Sequence, residues 1–88
     1  MNEDRKLVGK VAHYYGKIGV AVVELEGPLR IGDDIAIEGP ATSFMQKVES
    51  MQIEFEPVKE AKDGDAIGLK VSQTVKPKDN VYVMKKYQ

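Results

Sequence analysis

The sequence predicts an all-β domain of six or seven short strands, and three observations carry that expectation. Helical periodicity is almost absent, since only residues 57–62 offer material for about a turn of helix. Short β-branched runs recur between Gly, Pro and Asp turn signals. One turn-and-strand pattern occurs three times: "GDDIAI" at 32–37, "GDAIGL" at 64–69 and "KDNVYV" at 78–83.

In chain order, the expected strands lie at 7–14, 18–25, 34–37, 43–48, 51–55, 66–71 and 81–84. The first two meet at "YYGKIG", a hairpin in which Gly16 is expected to take the positive φ. The second contains "IGVAVV", apolar on both faces, so its outer side needs cover from the chain or from a partner. "EGPL" and "EGPA" are two further turns. Between 44 and 55 the alternation cannot keep one phase. Met51, Ile53 and Phe55 share a face, whereas Phe44 and Val48 belong to the other phase. A bulge or a bend near Glu49–Ser50 repairs the slip, and such bends curl a sheet toward a barrel.

The three repeated segments share an Asp at the second position, followed by alternating apolar residues. Asp accepts local backbone N–H bonds in turns, and Gly supplies permissive backbone there. The repeat reads as a device that launches strands. Metal binding by Asp33, Asp34, Asp63 and Asp65 is not expected, because the ligand spacing of a calcium loop is missing.

Composition bounds the function. Eighty-eight residues make one domain, expected to span 7–86 behind a flexible segment 1–6. The net charge of −1 argues against strong general attraction to nucleic acid and leaves room for a local basic patch. With no cysteine, no apolar leader and no membrane-length run, the cytoplasm is the expected location. The 31% charged fraction, with no Cys and no Trp, also fits a thermophilic source.

The series "VGKVAHYYGKIGVAVVELEGPLRIGDDIAIEG…KVESMQIEFEPVKEAKDGDAIGLKV…KPKDNVYVMKK" resembles the second domain of elongation factor Tu-like translation GTPases. The match runs from about Val8 to Met84 and is most specific at Ala61, Gly64, Asp65, Gly68 and Leu69. It implies a small closed antiparallel, Greek-key-like barrel of the translation-protein type. It further implies a stand-alone archaeal-type protein similar to translation elongation factors. A similar barrel is also appended to collagenase-like peptidases that act in RNA modification. No phosphate-binding loop is present, so GTP is not expected. The acids Glu54 and Glu56 fall where the resemblance implies cationic contacts to transfer RNA.

The expected function is a non-catalytic module binding RNA or the ribosome through Tyr14, Tyr15 and Lys17 with a basic edge of Lys76, Lys78, Lys85 and Lys86, and one alternative stands beside it. Arg5 and Lys6 would join that edge, which equally serves to discourage edge-to-edge strand pairing. The alternative is a protein-interaction subunit docking a separate enzyme or a second copy through Ile18, Val20, Val22 and Phe55. No cofactor and no metal are expected. His13 is the single histidine, and no Ser-His-Asp or Cys-His set can be assembled, so an enzyme is not expected.

Overall fold

A computed structural model of the chain describes residues 5–84. It contains ten strands: β1 (Arg5–Tyr15), β2 (Val20–Leu25), β3 (Leu29–Arg30), β4 (Asp34–Gly39), β5 (Thr42–Lys47), β6 (Met51–Ile53), β7 (Glu56–Pro57), β8 (Glu60–Ala61), β9 (Ala66–Lys70) and β10 (Asn80–Met84). All pairings are antiparallel, and no helix occurs among the described residues. Eight strands form one sheet in the order β5-β4-β10-β1-β2-β9-β6-β7, and β3 with β8 forms a two-stranded clip.

The all-β expectation holds; the closed six- or seven-stranded ladder is not what the pairings describe. They begin at β5 and finish at β7 without joining those two strands. The sheet is nevertheless rolled. Only 48–50 separate β5, the first strand in the sheet order, from β6, the seventh. At roughly 3.3–3.6 Å per residue, so short a link requires the far sides of the sheet to approach one another. The phase slip expected at Glu49–Ser50 is this bend. Across it the Gln46 amide spans the gap: its Nε2 donates to the Lys70 carbonyl at 2.9 Å, and its Oε1 accepts from Ser72 N–H at 2.8 Å.

Rolling encloses one face. Val8, Val11, Ala21, Val23, Ile35, Ile37, Met51, Ile67, Leu69 and Val81 fill the interior with Leu29 and Val48. Two bulges in β1, at Val8 and at Ala12, bend that strand round the core. The hairpin after β1 differs from expectation at one residue. Gly19, not Gly16, takes the positive φ, at 67°, and both Ile18 and Gly19 N–H groups close back on the Tyr15 carbonyl.

The repeated Asp segments fold alike. Asp33, Asp65 and Asp79 each accept a hydrogen bond from the backbone N–H three residues earlier, at Arg30, Lys62 and Lys76 (3.0, 2.9 and 2.9 Å). Each Asp N–H returns to the carbonyl of that same residue. The third position of each turn has positive φ: 95° at Gly32, 93° at Gly64 and 78° at Lys78. These are turns of the type that favours Gly there, and Lys78 is the exception. Asp79 is 1% exposed and presses against Gly39, where any Cβ would overlap its carboxylate.

On the outer face of β1, β10 and β4, Arg5 lies over the Tyr82 ring, 4.2 Å from its centroid, and bonds Glu38 at 2.9 Å. That hydrogen bond, aided by the Arg5 charge and opposed by slight desolvation, holds the Glu38 carboxyl below its ordinary value of 4.5.

These contacts yield three predictions. Gly64→Ala should destabilise by about 1–2 kcal/mol although its Cβ would meet open space, because the cost is that of left-handed backbone. Asp79→Ala should cost about 1.5–3 kcal/mol, more than Asp33→Ala or Asp65→Ala, whose turns water can reach. Urea midpoints measure all of these. For Glu38 the folded pKa is depressed, so its contribution is present above the ordinary carboxylate value and is lost as pH falls through the folded one. The gap in urea midpoint between the wild type and Glu38→Gln should therefore be open at neutral pH and shrink in acid.

Candidate interaction site

Strand alternation decides what the outer face of β2 presents. Ala21, Val23 and Leu25 point inward, so Val20, Val22 and Glu24 point outward. Antiparallel partners share a face, which sets three outer rows. The first joins Tyr15, Val20 and Lys70. The second runs His13, Val22, Gly68, Gln52, Pro57. The third joins Lys10, Glu24 and Ala66. Gly68 leaves the middle of the second row without a side chain.

Two hairpin tips build walls over this floor. Ile18, 61% exposed, comes from the β1–β2 loop. Phe55, 92% exposed, comes from the β6–β7 loop. The result is a groove of about 460 Å³ lined by Tyr15, Ile18, Val20, Val22, Phe55 and Gly68, together with Gln52 and Glu54. Among the described residues lining it, Glu54 alone carries a charge, and none is a lysine. The nearby Lys70 ammonium donates to the Ile18 carbonyl at 3.0 Å.

Phe55 had been expected to share a face with Met51 and Ile53. Instead Glu54 and Phe55 form a two-residue turn between Ile53 and Glu56, with φ of 52° and 68°. Such a turn favours Asn-Gly, and each non-glycine residue in left-handed backbone costs roughly 1–2 kcal/mol. The chain accepts that cost and places an aromatic ring in solvent. Strain of this kind collects at functional sites.

The residues proposed for partner binding, Ile18, Val20, Val22 and Phe55, are thus brought together. Those proposed for RNA are not gathered in the same way. Tyr14 packs against the core while the next residue, Tyr15, faces the groove and meets His13 in a tilted contact, ring centroids 4.3 Å apart. Lys17 is exposed in the hairpin loop. Lys76 and Lys78 belong to the Asp79 turn, which bonds the backbone of Val11 in mid-strand. Lys85 and Lys86 lie outside the described residues. The sequence reading missed Gly68 and Tyr15 as parts of the groove. The signal was available in the register, since a glycine inside a strand marks a place of close approach. Asp33, Asp34 and Asp65 are engaged in turn bonds and in the Asp34–Lys47 ion pair (2.8 Å), and no group of three potential metal ligands is gathered among the described residues. No helix among those residues is long and apolar enough to cross a membrane.

Comparison with known proteins places the chain beside peptidases. No protein-family model matches it. A collagenase of Porphyromonas gingivalis is 43% identical over 77 residues, covering 85% of this chain and 21% of the collagenase. An uncharacterised protease of Methanocaldococcus jannaschii is 40% identical over 79 residues, covering 89% of this chain and 19% of the protease. The chain spans about a fifth of the length of these relatives. In structure it superposes on the C-terminal domain of a Geobacillus thermoleovorans protein assigned to the U32 peptidases, with a TM-score of 0.85, 23% identity and coverage of 97% of this chain and 99% of that one. The bacterial selenocysteine-specific elongation factor shares the fold at a TM-score of 0.68 and 25% identity, over 97% of this chain and 15% of the factor.

The groove yields one prediction about stability. The double substitution Glu54→Asn with Phe55→Gly should raise stability by about 1–3 kcal/mol by removing left-handed strain, measured as a higher urea midpoint. A loss would show that the exposed ring supports the fold. The expected kinship with the second domain of elongation factors is corrected by these matches: the sequence relatives are collagenase- and protease-type proteins, and the translation factor shares the architecture.

Proposed function

We propose that this chain is a non-catalytic docking domain that acts with a peptidase-type protein. The carrying observation is the groove, where apolar side chains from two hairpins and the outer face of β2 converge with no segment of the described chain covering them. An uncovered apolar face rimmed by polar residues marks an interaction surface. The relatives support the choice of partner, because in them the matching segment accompanies a much longer protein. The rolled sheet, with Gln46 of β5 bonding the backbone at Lys70 and Ser72, offers a platform for the two tips. A non-catalytic role fits the engagement of the acids in turns and ion pairs and the exposure of His13 against Tyr15. The lack of cysteine supports work in the cytoplasm.

The test is capture from lysate of the source cell by the tagged chain, at low and moderate salt, with the recovered protein identified. A peptidase-type protein held at both salts, and lost with Phe55→Gly, is the expected result. Recovery of RNA that falls away steeply as salt rises would overturn the reading.

A further inference from the structure

The chemistry of the groove narrows what it holds, on the assumption that it is a docking surface at all. Gly68 forms the floor, yet the fold does not require glycine there. Its φ is not positive, and a Cβ would meet Val20 Cγ1 at 3.5 Å, an ordinary contact. Glycine in a strand interior also weakens the strand by roughly 0.5–1 kcal/mol relative to alanine. An unneeded glycine beneath an open apolar groove is what close approach of a foreign group demands. The floor has no side chain at Gly68, Val20 and Val22 neighbour it, and Tyr15 and Phe55 also line the groove. Such walls suit a planar ring, which gains from offset or edge-on contact with other rings. A volume of about 460 Å³ admits an aromatic side chain with the backbone that bears it.

The rim adds a sign. Glu54 is the charged residue among those lining the groove, and Glu56 is exposed on the other side of Phe55 in the chain. Lys70, the neighbouring cation, directs its ammonium to the Ile18 carbonyl. A cation arriving beside Phe55 would meet both a carboxylate and a ring face, two favourable partners.

The geometry points to a specific occupant: a polypeptide segment with an aromatic residue seated over Gly68 and an adjoining Lys or Arg at Glu54. The ring fills the groove and the cation fixes direction. Gln52, in the same outer row as Gly68, is placed to pair with the segment's backbone.

The experiment uses the isotopically labelled chain and three capped tetrapeptides: Ser-Phe-Lys-Ser, Ser-Phe-Glu-Ser and Ser-Ala-Lys-Ser. Amide shifts are followed by NMR at millimolar peptide. The Phe-Lys peptide should shift the amides of Val22, Glu54, Phe55 and Gly68. It should bind roughly two- to five-fold more tightly than the Phe-Glu peptide, the preference an exposed ion pair gives. The Ala-Lys peptide should leave the groove unmoved. Glu54→Gln should level the Lys-over-Glu preference. Gly68→Val should abolish binding while the spectrum stays dispersed and the urea midpoint does not fall. Equal binding of the Lys and Glu peptides would overturn the cationic assignment while leaving the docking reading standing. Shifts confined to the Lys76–Lys78 turn, or none anywhere, would overturn the assignment of the occupant. The docking reading would then be decided by capture from lysate, which does not depend on these peptides.

Discussion

Three residues, Val48 to Ser50, constrain the whole molecule. They carry the chain from one side of an eight-stranded sheet to its other side, and a flat sheet cannot satisfy them. Once the sheet rolls, every strand has one face toward a common interior and one toward solvent. The interior then needs only modest side chains, and Val, Ile, Leu and Ala supply most of them. The Gln46 amide completes the approach of the two sides by bonding the backbone at Lys70 and Ser72, so that polar groups there are satisfied without a continuous ladder.

Rolling also defines what needs a second explanation. An outward residue in such a sheet does not help to form the core, so outward Val20 and Val22, with Ile18 and Phe55 above them, are not accounted for by folding. At the Arg5 patch the outer face is covered from within the chain, although Met45 beside it on β5 is 64% exposed. Arg5 lies over Tyr82 and reaches Glu38, and Ala36 on the same outer side of β4 is buried. The difference between these two patches of one sheet supports the proposed docking role of the groove.

Much of this was legible in the sequence because backbone requirements leave few residue choices. The three Asp segments were aligned by pattern alone, and each closes the same turn, down to Lys78 holding the place of a glycine. The bend near Glu49–Ser50 followed from a phase slip. Other features had no such imprint. Tyr14 and Tyr15 were grouped at a hairpin tip, yet strand geometry runs through both and sends them to opposite faces. Glu54-Phe55 carries no turn signal, so alternation was read straight through a turn. The kinship with translation factors failed for a related reason. Ala61 and Leu69 are core residues, Gly64 has positive φ and Asp65 caps its turn. These positions answer to the fold, which the elongation factor shares, and so they cannot distinguish one user of that fold from another.

Gly68 is the exception among the matching positions, and the strained pair Glu54-Phe55 belongs with it. Alanine would fit at 68, and Asn-Gly would relieve 54–55. In both places the sequence departs from what stability alone favours, and the two departures meet in one groove, as floor and as wall. A third departure, Lys78 at φ 78°, lies outside the groove, in the Asp79 turn. Natural chains carry local conflicts chiefly where activity requires them, and the stability forgone there is the trace that function leaves in a structure. Two separate costs thus fall within one apolar groove, and together with its shape they support the proposed docking role.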